Sequence, residues 1–230
     1  SSSVKFSLPD YDLFAIDANA AVPSIARRVS GVGTTLFNMA VHPQSGKVYV
    51  SNTEARNHVR FEGPGTKAST VRGNVAESRV SVVDVATGNV DAVHLNSHVN
   101  FSLAQGEAIS AANKARSLSQ PTSLVFSPGG ETLYVAALGS NKVAALPTNT
   151  LNSATFSADS SQHIAVPDGP AGLALNAAGS RLYVYSHTAH RISIVNTATR
   201  SVAGSTILFT PESMRTRDGR RFLYDANLTS

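Results

Sequence analysis

The chain has 230 residues, 42% of them hydrophobic and 15% charged, with a formal net charge of +4 at pH 7. This composition excludes intrinsic disorder, no apolar run approaches the roughly 18 residues of a membrane span, and scattered basic residues without interleaved aromatics argue against nucleic-acid binding. The sequence contains no cysteine, which excludes disulfides, thiolate metal sites and covalent attachment of a c-type haem to this chain.

The first predicted element is half of a repeat unit. The segment YDLFAIDANA from Tyr11 is similar to VSVVDVATG from Val80, which reads as a strand followed by a turn. The chain is therefore expected to enter a repeat unit midway, through a strand near Asp12–Asp17.

Three longer segments then repeat a common pattern, starting at Asn38, Thr122 and Ala171. Each has an apolar strand, a glycine-containing turn, a second strand with Tyr-Val, a polar loop and a third strand. Tyr134 and Tyr183 are 49 residues apart, close to the roughly 40–50 residues of one propeller blade. Short strands with turns at this spacing predict an all-β fold, a partial β-propeller of about four four-stranded blades over residues 1–210.

Two insertions interrupt the predicted blades. Residues 57–78 lie between the second and third strands of the first full unit, and residues 96–120 lie between that unit and the next. An alanine-rich stretch predicts a helix over 103–116. Loops of this length are often functional, so we expect both insertions to pack beside the rim and contact a following domain or chain.

The longer strings identify a resemblance. GVGTTLFNMAVHPQSGKVYVSNTEARN, VRFEGPG and STVRGNVAESRV resemble the propeller half of secreted bacterial proteins that join YVTN-family propeller repeats to a di-haem cytochrome c peroxidase-like domain. The resemblance spans most of residues 10–230. It implies a periplasmic or secreted protein, and a haem cofactor carried only by a downstream domain.

The C-terminal residues 211–230 allow two interpretations. DGRRFLYDANLTS from Asp218 resembles the opening of that haem domain, and Gly219, Arg220, Asp225 and Leu228 fit its pattern. The segment would then be a linker or the start of the haem domain, with a helix over 217–225. Alternatively it begins a further partial blade with a strand near Phe222–Tyr224, because Gly-Arg-Arg-Phe-Leu-Tyr parallels Gly-Ser-Arg-Leu-Tyr-Val of the preceding unit.

No local motif predicts catalysis or a metal site. His187 and His190 lie in a loop, where histidines more often face solvent than a metal ion, and zinc needs three or four ligands within reach. By analogy with other propellers, ligands enter at one end of the central channel. The candidate binding residues at that channel mouth are Asn38, Asn52, Arg56, Ser123, Asn141, His187 and His190.

The leading functional hypothesis is a non-catalytic scaffold or interaction module of an extracytoplasmic redox protein. One alternative is a propeller hydrolase of the lactonase type with a site at the channel mouth, and another is a surface-layer or adhesion repeat protein. The ring is expected to be incomplete, so that the strand near Asp12–Asp17 or the one near Phe222–Tyr224 pairs with another polypeptide. The expected partners are the haem domain, the remaining blades of the parent protein or a second copy.

Overall fold

The computed structural model describes residues 10–56, 74–101 and 109–226, which form strands and two α-helices. In chain order the elements are β1 (Leu13–Asp17), β2 (Ser24–Val29), β3 (Thr35–Val41), β4 (Val48–Ala55), β5 (Ala76–Val83), β6 (Val90–His94), α1 (Ala111–Arg116), β7 (Pro121–Phe126), β8 (Thr132–Ala137), β9 (Lys142–Pro147), β10 (His163–Ala165), β11 (Pro170–Leu175), β12 (Arg181–Ser186), β13 (Arg191–Asn196), β14 (Ser201–Ile207) and α2 (Met214–Tyr224).

The strands form four antiparallel sheets. Strands β3–β6, β7–β10 and β11–β14 make three four-stranded sheets, each hydrogen-bonded in chain order, which we call the first, second and third blades. Strands β1 and β2 make a two-stranded sheet, the half-blade, where the sequence predicted half a unit. The predicted all-β, partial-propeller fold is thus confirmed, with two strands in the first of its four sheets.

Alternating side chains explain why these segments form strands. Along β12, Leu182 and Val184 are fully buried, whereas Tyr183 and Tyr185 lie on the opposite face of the sheet and are partly exposed. This period of two is what a pleated strand with two different faces requires. Gly46 and Gly179 have φ of 70° and 69° in the turns that join the first and second strands, a left-handed conformation that glycine adopts without steric cost.

The hydrophobic core consists of layers between adjacent sheets. Leu133, Val135 and Leu146 of the second blade pack with valines of the first blade, whereas Tyr134 and Val143 pack with the third blade. A third layer joins the half-blade to the first blade. Burial of one such Leu or Val side chain contributes about 1.5–3 kcal/mol, so each blade is stabilised mainly by its neighbours.

The first strand of each blade contains a register shift near its start. The ladder skips Phe37 in β3, Thr122 and Ser123 in β7, and Ala171 in β11. Such irregularities are typical of β-bulges, which redirect side chains at the edges of sheets and near binding sites. The first strands of all three blades therefore share a bulge near the start of the strand.

Helix α1 lies in the connection between the first and second blades, and helix α2 follows the last strand of the third blade. Helix α1 is shorter than the predicted 103–116, and residues 102–108 lie outside the described part of the chain. Helix α2 begins after Ser213, whose side chain accepts a hydrogen bond from the backbone N–H of Thr216 and so caps the helix. The predicted strand near Phe222–Tyr224 is wrong, because Met214–Tyr224 is capped as a helix and Thr216 is its sole β-branched residue.

The predicted insertions are described in part. Residues 57–73 lie outside the described residues, and residues 76–78 already belong to strand β5. In the second insertion, Leu118 is fully buried in the core, so its last residues belong to the fold rather than to a loop. Neither described helix has the length and apolar character needed to cross a membrane.

Candidate functional site

One end of the blades gathers most of the polar side chains of interest, and we call it the channel-end face. It contains the turns after β8 and β12, the loop before β11, and helix α2. Asn141 and His190 occupy matching positions in the two turns, with φ of 54° and 48°. These are left-handed backbone conformations, in which asparagine and histidine are enriched among the non-glycine residues. The shared conformation gives the two side chains the same starting direction from the backbone.

His190, Glu212 and Arg220 form a hydrogen-bonded chain on the channel-end face. Glu212 Oε2 lies 3.1 Å from His190 Nε2 and accepts a hydrogen bond of 2.6 Å from Arg220 Nη1. Arg220 Nη2 donates to the other carboxylate oxygen. The hydrogen bonds from Arg220 and then from His190 lower the pKa of Glu212, so this carboxylate stays ionised at neutral pH and holds both basic side chains.

Two further polar contacts hold helix α2 against the blades. Asn141 Nδ2 donates to Asp225 Oδ2 at 3.0 Å, and Arg221 Nε donates to Asp168 Oδ2 at 2.8 Å. Gly139 allows the helix end to approach closely, because a Cβ there would lie 3.1 Å from the backbone oxygen of Tyr224. Helix α2 is therefore docked on the second and third blades by side chains from both.

A cavity of about 400 Å³, the channel-end cavity, opens beside α2. Its lining residues are Phe37, Gln120, Thr122, Leu138, His187, Thr188, Arg220 and Tyr224. The bulged residues of β3 and β7 thus meet the turn after β12 and the helix. Tyr185 OH lies 3.1 Å from His187 Nδ1, which orients the imidazole. Aromatic walls with a few polar groups, at this volume, fit a small organic ligand.

The structure brings three of the seven predicted site residues together. Asn141, His187 and His190 all lie on the channel-end face, and the rings of His187 and His190 are 6.1 Å apart. Their role in binding remains a prediction.

Two other predicted residues have structural contacts. Asn52 is fully buried and donates to Val50 O and to Ser81 Oγ. Buried Ser123 accepts a hydrogen bond from the backbone N–H of Leu173 at 3.1 Å, which joins the second and third blades. Both side chains are therefore part of the interior of the fold.

Asn38 and Arg56 do not line the channel-end cavity. Asn38 lines a separate cavity of about 440 Å³ with Leu13 of the half-blade and Leu36. Arg56, at the end of β4, is close enough to Glu77 to contribute to lowering the pKa of that carboxyl, after the hydrogen bond from Arg79.

Sequence reasoning missed the acidic partners of this face. Glu212, Asp168 and Asp225 were not singled out as site residues, because Glu212 and Asp168 have no motif around them and Asp225 was noted only within the resemblance at the C-terminus. Arg220 was noted only within the same resemblance at the C-terminus. One signal was available in the sequence. Glu212 precedes the helix-capping Ser213, and Arg220 follows eight residues after Glu212, which indicates a possible ion pair at the start of the helix. No group of three or more potential metal-ligating side chains occurs in the described ranges.

Comparisons with known proteins show the fold. No protein-family model matches the chain, and no curated protein matches it by sequence. Among solved structures, it is similar to Kuenenia stuttgartiensis hydrazine synthase (TM-score 0.54, 14% identity, 76% of this chain and 49% of that chain). It is also similar to a periplasmic gluconolactonase from Pseudomonas aeruginosa (TM-score 0.53, 15% identity, 84% of this chain and 48% of that chain).

The chain thus spans about half the length of these structures. The leaning towards a non-catalytic role for this chain alone, which the sequence left uncertain, is contradicted, because one of the similar folds is itself a gluconolactonase. At this sequence identity the likeness establishes the fold alone, and absence of a local catalytic motif is no argument against catalysis in such a fold.

Proposed function

We propose that this chain is the propeller part of an extracytoplasmic bacterial redox protein and that helix α2 is the docking element for its haem domain. The observation that carries the proposal is that α2 has polar contacts with the blades on one side and exposed apolar side chains on another. Asp225 and Arg221 bond to the blades, whereas Phe222 and Leu223 are 70% and 76% exposed.

The position of α2 agrees with the sequence resemblance. The segment that resembles the opening of the haem domain, DGRRFLYDANLTS, includes the second half of α2. Two adjacent large apolar side chains on a helix are costly to expose unless another surface covers them. The propeller thereby orients the start of the next domain, and the channel-end face becomes the floor of the interface.

The test uses the full-length parent protein. We expect a c-type haem Soret band, and we expect Phe222→Ser/Leu223→Ser to increase the rate of proteolytic release of the haem domain at least tenfold. Phe209→Ser is the control, because Phe209 is 94% exposed but lies outside α2. A parent protein without haem refutes the redox assignment, whereas equal release rates for both variants refute the docking role of α2.

A second candidate, a lactonase-type hydrolase, is favoured by the channel-end cavity. Its volume suits a sugar-sized ring, Phe37 and Tyr224 offer apolar walls, and His187 is oriented by Tyr185. The purified parent protein should then hydrolyse glucono-δ-lactone, with His187→Gln reducing kcat at least 100-fold, as loss of a general base does. Lys47→Gln is the control, because Lys47 is exposed and does not line the cavity. No hydrolysis above the spontaneous rate rejects this candidate and leaves the docking role intact.

A further inference from the structure

A further cavity lies beside helix α2, next to the channel-end cavity, and is lined by three arginines. This arginine cavity has a volume of about 400 Å³, and Arg191 of β13 faces Arg217 and Arg221 of α2 across it. Arg217 and Arg221 are four residues apart, so they lie on one face of the helix. Arg220 points instead to the channel-end cavity.

The acidic side chains do not neutralise this set. Asp168 accepts a hydrogen bond from Arg221 Nε at 2.8 Å and offsets one positive charge. Asp218 also lines the cavity, but it is exposed to solvent. Arg191 Nη1 donates 2.7 Å to the hydroxyl of Ser205 and carries no carboxylate partner within the described residues. The lining therefore keeps a positive charge.

Arg217 provides the observation that points to a ligand. Its Nε atom is buried and has no hydrogen-bond partner among the described residues. A buried donor without an acceptor costs about 1–3 kcal/mol, more when the group is charged. A guanidinium presents its N–H groups in a planar fork that matches the oxygens of a carboxylate or phosphate. A lining of this kind favours an oxyanion over a metal ion or an apolar ligand.

We propose that the arginine cavity binds a small oxyanion, held by Arg217 of α2 and Arg191 of β13. The ligand would accept hydrogen bonds from the helix and from the third blade at once. It would thereby tighten the docking of α2 on the channel-end face.

The experiment measures binding of three probes to the purified chain by calorimetry and thermal shift. The probes are inorganic phosphate, sulfate and succinate, each at constant ionic strength with sodium chloride as the reference. We expect saturable binding of at least one probe with a rise in Tm, because a ligand that binds only the folded state stabilises it. Phosphate and sulfate without succinate identify a tetrahedral oxyanion, and succinate alone identifies a carboxylate.

Matched variants distinguish binding in the arginine cavity from nonspecific attraction of anions to the basic helix. Arg217→Gln should weaken binding at least tenfold and Arg217→Lys should restore part of it, since lysine keeps the charge but not the fork. Arg215→Gln is the control, because Arg215 is exposed on the same helix and does not line the cavity. Far-UV circular dichroism checks that each variant folds. No saturable binding of any probe, or equal losses in the Arg217→Gln and Arg215→Gln variants, overturns the proposal.

Discussion

The second and third blades have the same strand pattern but different surroundings. Both carry Leu-Tyr-Val in their second strand, at 133–135 and 182–184. Tyr134 is 6% exposed because the third blade covers it, whereas Tyr183 at the matching position is 36% exposed. Ala136 and Tyr185 differ in the same way, at 0% and 36%.

This difference shows where the stability of the fold originates. The repeat pattern specifies a four-stranded sheet, but burial of its face depends on the adjacent sheet, as in other repeat architectures. The exposed face of the third blade includes Tyr183 and Tyr185 with their cross-strand partners Ile194 and Ile192. This face is apolar and partly exposed in the described residues.

The largest expected effect comes from truncating the two tyrosines. Tyr134→Ala should lower the free energy of unfolding by about 4 kcal/mol, because it leaves a large cavity between two blades. Tyr183→Ala should lower it by only about 1 kcal/mol, since that ring is 36% exposed and less closely packed. Urea unfolding measures both, with Tyr134→Phe as the control for the hydroxyl. Equal losses for the two alanine variants would show that the blades are stabilised independently.

The next largest loss of stability is expected at the junction of the second and third blades. Gly169 has φ of 73°, and a Cβ there would lie 2.9 Å from the Cβ of Thr188 in the third blade. Gly169→Ala should therefore cost about 3 kcal/mol, through backbone strain and this overlap. Gly46→Ala, at φ of 70° with open space around it, should cost about 1 kcal/mol. Thermal unfolding compares the two, and a smaller loss for Gly169→Ala would mean that the junction adapts.

Acid should destabilise the second blade through His163 of β10. Burial, followed by the charge of Lys142, lowers the pKa of His163 from 6.5 to about 4. The unfolded chain therefore binds a proton that the folded chain does not, so stability is complete above pH 6.5 and falls as the pH drops towards 4. The shift corresponds to about 3 kcal/mol, and partial solvent exposure of the ring reduces the expected loss to about 2 kcal/mol.

Replacement of His163 tests this assignment. His163→Gln should flatten the fall in urea-unfolding free energy between pH 6.5 and 4, whereas His187→Gln in the third blade should not. Unchanged acid sensitivity in the His163→Gln variant would assign the effect to other groups.

The smallest effect compares matching positions in the third strands. Ser81 of the first blade donates to Val32 O at 2.7 Å and accepts from Asn52, so Ser81→Ala should cost about 1.5 kcal/mol. Ser193 of the third blade is buried with its hydroxyl unpaired in the described structure, and the second blade has Ala144 at this position. Ser193→Ala should change stability by less than about 0.5 kcal/mol. A large loss in urea unfolding would reveal a partner for Ser193.

The blades could be predicted from the sequence because their signal is local. Tyr49, Tyr134 and Tyr183 mark second strands, and the glycine turns before them fix the strand lengths. Helix α2 was harder to predict from the sequence, because Gly219-Arg-Arg-Phe-Leu-Tyr resembles the segment that leads into β12. The difference between strand and helix lay in the Ser213 cap and in contacts between α2 and the blades, which are distant in sequence.

The candidate site could be predicted only in part for the same reason. His187 and His190 follow from their place in a turn between strands. The burial of Asn52 and Ser123 could not be predicted, because it depends on how sheets stack and where strands are bulged, and their role in binding stays a prediction. Glu212 and Asp168 meet their basic partners only after α2 has docked.

The bulges in the first strands have a consequence for how this fold can change over time. Phe37, Thr122, Ser123 and Ala171 have no cross-strand partner in the ladder. A mutation at Phe37 or Thr122 therefore alters the wall of the channel-end cavity without shifting the register of β3 or β7. Substitutions at these positions can therefore change which ligand is bound while the sheets stay the same. Ligand recognition and folding can then evolve independently.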